Sequence, residues 1–553
     1  MVRKIQLVEI SMRNFWANLG LSLLVTLPLA GLLYLAYGVA NVSYPPFDFM
    51  KLLIERLPGG LITFGIDTMT DLILAIDPNV DLDSAAKTAE RLIAVAQFVG
   101  LASVIGAIYG LIVAQLHQRG QFFSSEWSSG LVLGLVVGTL LAAVSLTYDV
   151  ASTASPAFST TWILVAFLAW GGAHTWLYRR LLAPQEAPSV PVVDAPVIAK
   201  TTANEVILLD RRRFLIRAGA GSAVITVVGA GLGEYLRSGE TIQGGNIQIA
   251  GLNQGLVPAP GTRPEYTPLA NHYRIDINVG DPPNVDSTSY RLKITGLVEA
   301  DLEVSLADIQ AYPPVDQFVT LSCISNRIAG RLISTTQWTG VPMKTLLAEW
   351  GVKPEATHIK ITSFDGFDEI VDIATIMADE RVMLTYNWDG IALLPKHGFP
   401  LRIYIPDHYG MKQPKWIEQM EFTDAWEEGY WVRRGWSRDA FVKTTSVIDT
   451  VAVDDLVEQD GQRLIPIGGI AYAGAKGISG VEVQIDGGEW LPAQLRSPLS
   501  DTTWVIWRLD WPFQEGEHSF TVRTYEADGT PQIEQRASQR PDGATGYHSL
   551  EAG

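Results

Sequence analysis

Four long uncharged apolar runs, crowded into the first third of the chain, constrain its folding more than any other feature. Phe15 to Ala40, Leu92 to Leu116, Ser129 to Tyr148 and Ser159 to Tyr178 contain no Asp, Glu, Lys or Arg. Each reaches the roughly 20 residues that a helix needs to cross a bilayer core of about 30 Å. One such run could be a buried core helix, but four in succession argue for lipid as the solvent. A fifth stretch, Ala218 to Gly233, is shorter and rich in Gly and Ala. Beyond about residue 240 the composition is that of an ordinary soluble protein. The chain is therefore expected to be multi-domain, with about five transmembrane helices preceding a soluble half.

Lys and Arg orient the helices. Arg3, Lys4 and Arg13 precede the first run, His117 and Arg119 follow the second, Arg179 and Arg180 follow the fourth, and Arg211, Arg212 and Arg213 precede the fifth. With five crossings all these clusters fall on one side, which the positive-inside rule makes the cytoplasm. The soluble half then lies on the extracytoplasmic side. Leu61 to Ile76, apolar but interrupted by Asp67 and Asp71, reads as an interfacial or re-entrant segment. Asp210-Arg-Arg-Arg-Phe-Leu-Ile216 resembles a twin-arginine export signal whose helix stays as an anchor. Gly219, Gly221, Gly229, Gly231 and Gly233 in that helix lack the strand and acidic residue of a dinucleotide loop and are read as helix-packing residues. His117 and His174 near the span ends are read as interface histidines, with a haem as the rarer alternative.

The expected layout is a membrane region over 1–183, a cytoplasmic linker over 184–210, an anchor helix over 211–236 and a linker over 237–268. An α+β domain over 269–443, an all-β sandwich over 444–536 and a tail over 537–553 complete it. In the α+β part, Tyr290 to Gly296, Phe318 to Ser322, His358 to Phe364 and Pro400 to Ile405 read as strands; Leu306 to Tyr312 and Met343 to Trp350 read as helices. In the sandwich, Val481-Glu-Val-Gln-Ile-Asp486 alternates and then turns at Gly487-Gly488. The net charge of −18 gives no basic surface for a nucleic-acid partner.

Cys323 is the only cysteine, in Phe318-Val-Thr-Leu-Ser-Cys-Ile-Ser-Asn-Arg327. Its solitude excludes an internal disulfide, a Cys-x-x-Cys pair and a four-cysteine metal site. An inert buried thiol, a nucleophile or a single thiolate ligand remain open. The residue ends a strand and opens a polar turn, a common setting for function. Downstream, Lys396, His397, Arg402, Lys412 and Lys415 gather cationic groups around a Gly-x-Pro turn, as a phosphate cradle would, or as a solvated basic loop would.

In order along the chain, Asn271-His-Tyr-Arg274, Thr320-Leu-Ser-Cys323-Ile-Ser-Asn326-Arg327, Gln337-Trp-Thr-Gly-Val-Pro-Met343, His397-Gly-Phe-Pro-Leu-Arg402, Lys415-Trp416 and Gly487-Gly-x-Trp490 resemble the sulfite oxidase family of molybdopterin-dependent oxidoreductases. The resemblance covers roughly 255–535 and implies a sulfite-oxidase-like molybdopterin domain followed by an immunoglobulin-like domain, which mediates dimers in part of that family. It implies one molybdenum-molybdopterin cofactor per chain, bound to metal through the Cys323 thiolate. His397, Arg402, Lys412 and Lys415 would hold the pterin phosphate, and Asn271, His272 and Tyr273 would meet the pterin. Asn326 and Arg327 would line the approach to the metal, while Trp338 is read as core packing. Ile328 stands where the family carries a second arginine, and Arg434-Gly-Trp-Ser437 replaces its tyrosine region.

The expected activity is oxygen-atom transfer on a small oxo-compound of sulfite or sulfoxide type. Electrons would pass to or from a separate carrier or a membrane quinone, since no haem domain is fused. The alternatives are a membrane-tethered surface binding protein on a degenerate scaffold, or a transporter with an accessory domain.

Overall fold

The computed structural model describes residues 2–76, 82–118, 126–181, 198–237 and 255–553. The greater part of the expected linkers, 184–197 and 238–254, and the side chains of His117, Arg211 and Arg212 lie outside the described residues. The chain forms two compact units, one of residues 1–57, 84–241 and 278–281, the other of 58–83, 242–277 and 282–553.

The first unit is helical: α1 (Val2–Ala40), α2 (Pro45–Arg56), α4 (Leu82–Gln118), α5 (Glu126–Tyr148), α6 (Pro156–Leu181) and α7 (Ile198–Arg237), with α3 (Gly59–Ile76) counted in the second unit. Among the described residues five helices are long and apolar enough to cross a membrane: Phe15–Ala40, Ala85–Leu116, Ser128–Tyr148, Pro156–Leu181 and Arg213–Tyr235. These match the expected runs. The anchor helix starts earlier than expected: α7 begins at Ile198, inside the segment read as a linker, because Thr202 to Asp210 holds no Pro or Gly to stop it.

Small residues let these helices touch backbone to backbone. A Cβ on Gly171 would collide with the carbonyl oxygen of Gly130, and one on Gly134 would collide with that of Phe167, so α5 and α6 pack at their glycines. Gly31 and Gly38 of α1 meet α7 in the same way: a Cβ on Gly38 would lie 2.6 Å from the Gly233 oxygen, and one on Gly229 would lie 2.6 Å from the Gly31 oxygen. The packing reading of the α7 glycines thus holds for Gly229 and Gly233, whereas Gly221 and Gly231 face open space. His174 links helices by hydrogen bonds, with Nε2 2.8 Å from Ser22 Oγ and Nδ1 3.0 Å from the Trp170 carbonyl oxygen, so both ring nitrogens are engaged.

After α3, the second unit continues with β1 (Leu292–Gly296), β2 (Leu302–Val304), α8 (Leu306–Gln310), β3 (Val315–Ser322), β4 (Ile333–Pro342) and α9 (Met343–Glu349). Then come β5 (His358–Ser363), β6 (Asp368–Asp372), α10 (Ile373–Ala378), β7 (Met383–Trp388), β8 (Ile391–Ala392), β9 (Arg402–Tyr404) and β10 (Ile417–Thr423). One sheet has the order β2-β1-β10-β5-β6, with β1 and β10 parallel; the other runs β3-β4-β7-β8, with β9 on β7. Apolar residues from both, among them Leu292, Ile361, Phe422, Leu384 and Ile403, form one buried core with Leu346 of α9. Ser305 starts α8 with a capping box closed by Asp308.

The sandwich follows: β11 (Thr445–Val451), β12 (Val457–Gln459), β13 (Gln462–Tyr472), β14 (Ile478–Ile485), β15 (Trp490–Pro492), β16 (Gln494–Leu495), β17 (Val505–Pro512), β18 (His518–Glu526) and β19 (His548–Ala552). Its sheets, β11-β13-β17-β16 and β15-β14-β18-β19, enclose Ile467, Trp507, Val481, Val483 and Phe520. The alternation read in β14 buries Val481, Val483 and Ile485, and the turn that follows has positive φ at Asp486 (51°) and Gly487 (69°). The expected tail is instead part of this domain. β19 pairs with β18, and His548 Nδ1 accepts from the Ile448 backbone N–H at 3.1 Å, giving the edge of β18 a partner.

Gly171→Leu should separate α5 from α6, costing roughly 1–3 kcal/mol through overpacking. The check is limited proteolysis and thermal unfolding of the full chain in detergent, with Gly231→Leu as the tolerated comparison.

Candidate functional site

Strand β3 delivers Cys323, and Thr320, three residues earlier, is held from several sides. Its N–H donates to the Thr502 carbonyl at 3.2 Å, its carbonyl accepts from Tyr472 Oη at 2.8 Å, and its hydroxyl accepts from the Trp504 N–H at 3.0 Å. The sandwich domain therefore fixes the strand that presents the cysteine. The loop that follows is closed on itself: Cys323 N–H donates to the Leu332 carbonyl and Asn326 N–H to the Cys323 carbonyl, both at 3.0 Å. The thiol is nearly buried, with Sγ 3.0 Å from Ser325 Oγ, in a cluster with Tyr273, Leu321, Trp338 and Tyr404.

Beside this wall lies a cationic cradle. His272, His397 and Arg402 are buried, and the two imidazole centroids are 5.2 Å apart, each against Trp388. Arg402 lies over the face of Trp338, 4.3 Å from its centroid, and its Nη1 donates to the His397 carbonyl at 3.1 Å. Lys415 Nζ donates to the Ile275 carbonyl at 3.0 Å and stands 3.8 Å from Asp276, whose carboxylate is 2.6 Å from Arg274 Nε. Gly398, at φ 117°, lets the turn pass between Arg402 and Lys415, where a Cβ would come within 3.2 Å of Arg402 Cβ.

Burial acts on every one of these groups, and nearby positive charge adds to it at His272, His397 and Lys415. Burial, with Arg402 and Lys415 nearby, pushes His272 down to about 3. His397 is held well below the usual imidazole range by burial and by His272 and Lys415. Burial lowers Arg402 to about 10, and it lowers Lys415 to about 7 against the pull of Asp276. Arg402 meets a carbonyl and an indole, and among the described residues its buried Nε, like His272 Nε2, has no hydrogen-bond partner. The buried Arg402 Nε–H so placed fits an anion with several acceptor oxygens, as a phosphate has, while His272, whose Nδ1–H donates to the Tyr273 carbonyl, offers Nε2 as an acceptor. Tyr273, stacked on His272 at 5.5 Å and clustered with Cys323, connects the cradle to the thiol. The residues present thus fit a phosphate-bearing cofactor with a thiophilic metal at its far end.

The structure brings His272, Tyr273, His397, Arg402 and Lys415 together, but it gives Lys412 other work. Its ammonium lies 2.8 Å from the fully buried Glu369, so it closes an ion pair instead of facing the cradle. Asn326 holds the loop, its Oδ1 accepting from the Leu332 N–H at 3.0 Å. Asn271 is exposed at the end of a single 3-10 turn, and Arg327 pairs with Asp71 at 2.6 Å. Trp338, read as packing, is the surface on which Arg402 rests. Trp388 and Asp276 escape a reading by sequence, although a Trp in an apolar strand and an Asp two residues from Arg274 are the signals that point to them.

Residues 279–431 match the oxidoreductase molybdopterin binding domain family. The human mitochondrial sulfite oxidase is 26% identical over 285 residues, 43% of this chain and 52% of that protein. A nitrate reductase [NADH] of rice is 26% identical over 332 residues, 48% of this chain and 36% of its own length. A putative protein-methionine-sulfoxide reductase subunit YedZ1 of Azospira oryzae is 31% identical over 153 residues, 28% of this chain and 56% of that one. The chain thus spans between about a third and just over half of the relatives it matches. Residues 279–431 are thus similar to the molybdopterin binding domain of the sulfite oxidases and nitrate reductases, and these relatives imply a molybdenum cofactor.

Two outcomes follow from the charges. Between about pH 7 and the ordinary lysine value near 10.5, the unfolded chain keeps a Lys415 proton that the folded chain has lost, so stability rises with pH there. His272 acts in the same direction between about 3 and 6.5. The unfolding midpoint of cofactor-free protein should climb from about pH 7 to about pH 9, and bound phosphate should flatten the climb. Lys412→Ala should lower the midpoint by stranding buried Glu369, a loss of about 3–5 kcal/mol, while leaving pterin affinity per folded molecule unchanged; pterin fluorescence after denaturation measures the latter.

Proposed function

We propose that the protein is a membrane-anchored molybdopterin oxidoreductase that moves an oxygen atom to or from a small oxo-compound of sulfite or sulfoxide type. The observation that carries this reading is the cradle of His272, His397, Arg402 and Lys415 alongside the one thiol of the chain. When bound, the cofactor supplies a metal able to exchange electrons and an oxo group with the substrate. Cys323 would give that metal its protein sulfur, the cradle would neutralise the pterin phosphate, and Tyr273 with Trp338 would form the wall between them. Arg327, on the Cys323 loop, would stand at the substrate approach. One cofactor serves each chain.

The apolar helices support anchoring, and the distribution of Lys and Arg supports a catalytic domain on the extracytoplasmic side, exported by way of the twin-arginine-like segment. Electrons come from or go to a separate carrier or a quinone of the bilayer. The likeness to a sulfoxide reductase subunit and to a sulfite oxidase supports both substrate types.

The test is turnover of full-length protein, made in a host that synthesises the cofactor, with a sulfoxide plus reduced dye and with sulfite plus oxidised dye. Wild type should turn over one of them and Cys323→Ser should fall to background. Equal turnover by Cys323→Ser would sink the proposal.

A further inference from the structure

Helix α3 makes a contact that cofactor binding does not explain. It belongs to the same compact unit as the catalytic domain and touches it at Gly59, where a Cβ would lie 3.0 Å from Arg434 Cα. Along the helix, Asp71 Oδ1 accepts from Arg327 Nη2 at 2.6 Å. Arg327 lies four residues beyond Cys323, in the loop closed by Leu332 and Asn326. Its neighbour Ile328 adds no charge, and Arg331, further round the loop, is exposed.

We propose that Asp71 is a specificity-determining residue that occupies the Arg327 guanidinium and so favours uncharged oxo-substrates, of the sulfoxide class, over anionic ones such as sulfite. This rests on the functional reading above, because it takes Arg327 as the cation at the substrate approach. An anion arriving there must displace one carboxylate and then remain beside it. An uncharged oxo-compound accepts a hydrogen bond without either penalty. The Arg327 and Asp71 side chains keep 42% and 62% of their exposure, so the pair is solvent-screened and its effect is graded rather than absolute.

The experiment uses the full-length cofactor-loaded protein. In Asp71→Asn, the KM for sulfite should fall about three- to fivefold relative to the KM for dimethyl sulfoxide, the scale of an exposed ion pair. Sulfate, which does not turn over, should bind more tightly by the same factor in calorimetry, and the gain should shrink at high salt. The double variant Asp71→Asn/Arg327→Gln should lose the gain. Unchanged sulfate affinity in Asp71→Asn, or an equal gain in the double variant, would overturn the proposal. Protein without molybdenum would refute the functional reading instead. The sulfate difference between Asp71→Asn and the double variant would still decide the ion pair, since binding in the cradle cancels between them.

Discussion

The second unit is organised around a guanidinium, an ammonium and two imidazoles that are largely withdrawn from water. His272, His397 and Arg402 are buried and Lys415 is half-buried, and burial holds each below its ordinary pKa. Such an arrangement is costly unless an anion completes it. Two aromatic residues make it tolerable in the meantime: Trp338 carries Arg402 on its face, and Trp388 packs both imidazoles. The strain is local, and the two sheets with their shared core hold the turn at Gly398 in place.

The sandwich contributes more than a second fold. Its Tyr472, Thr502 and Trp504 engage the backbone and hydroxyl of Thr320, so the height of Cys323 above the cradle is set by a domain that supplies no residue to the cradle itself. The helical unit packs differently: close glycine contacts, α5 on α6 and α1 on α7, bring its helices together. The same chain thus solves two packing problems with different residues, which is why its hydropathy divides so sharply.

Much of this is legible in sequence. The five spans can be read because uncharged apolar runs of that length, one after another, find a suitable solvent only in lipid. The strand ending at Ser322 can be read from its apolar residues and the polar turn after it. Lys412 is misassigned from sequence because its partner, Glu369, is 43 residues away, and proximity to Lys415 along the chain says nothing about which carboxylate a lysine meets. β19 escapes notice because five residues after a Gly- and Pro-containing stretch look like a tail until β18 offers an edge to pair with. The roles of Trp338 and Trp388 depend on which cations lie over them, and only tertiary packing decides that.

The central claim is that Cys323 and the cradle together hold a molybdenum pterin. X-ray absorption at the molybdenum edge of purified full-length protein tests it most directly. The account predicts stoichiometric molybdenum, with sulfur scattering that weakens in Cys323→Ser while the pterin is still retained by His397, Arg402 and Lys415. Well-folded protein that carries no molybdenum, or a spectrum identical in Cys323→Ser, would contradict it.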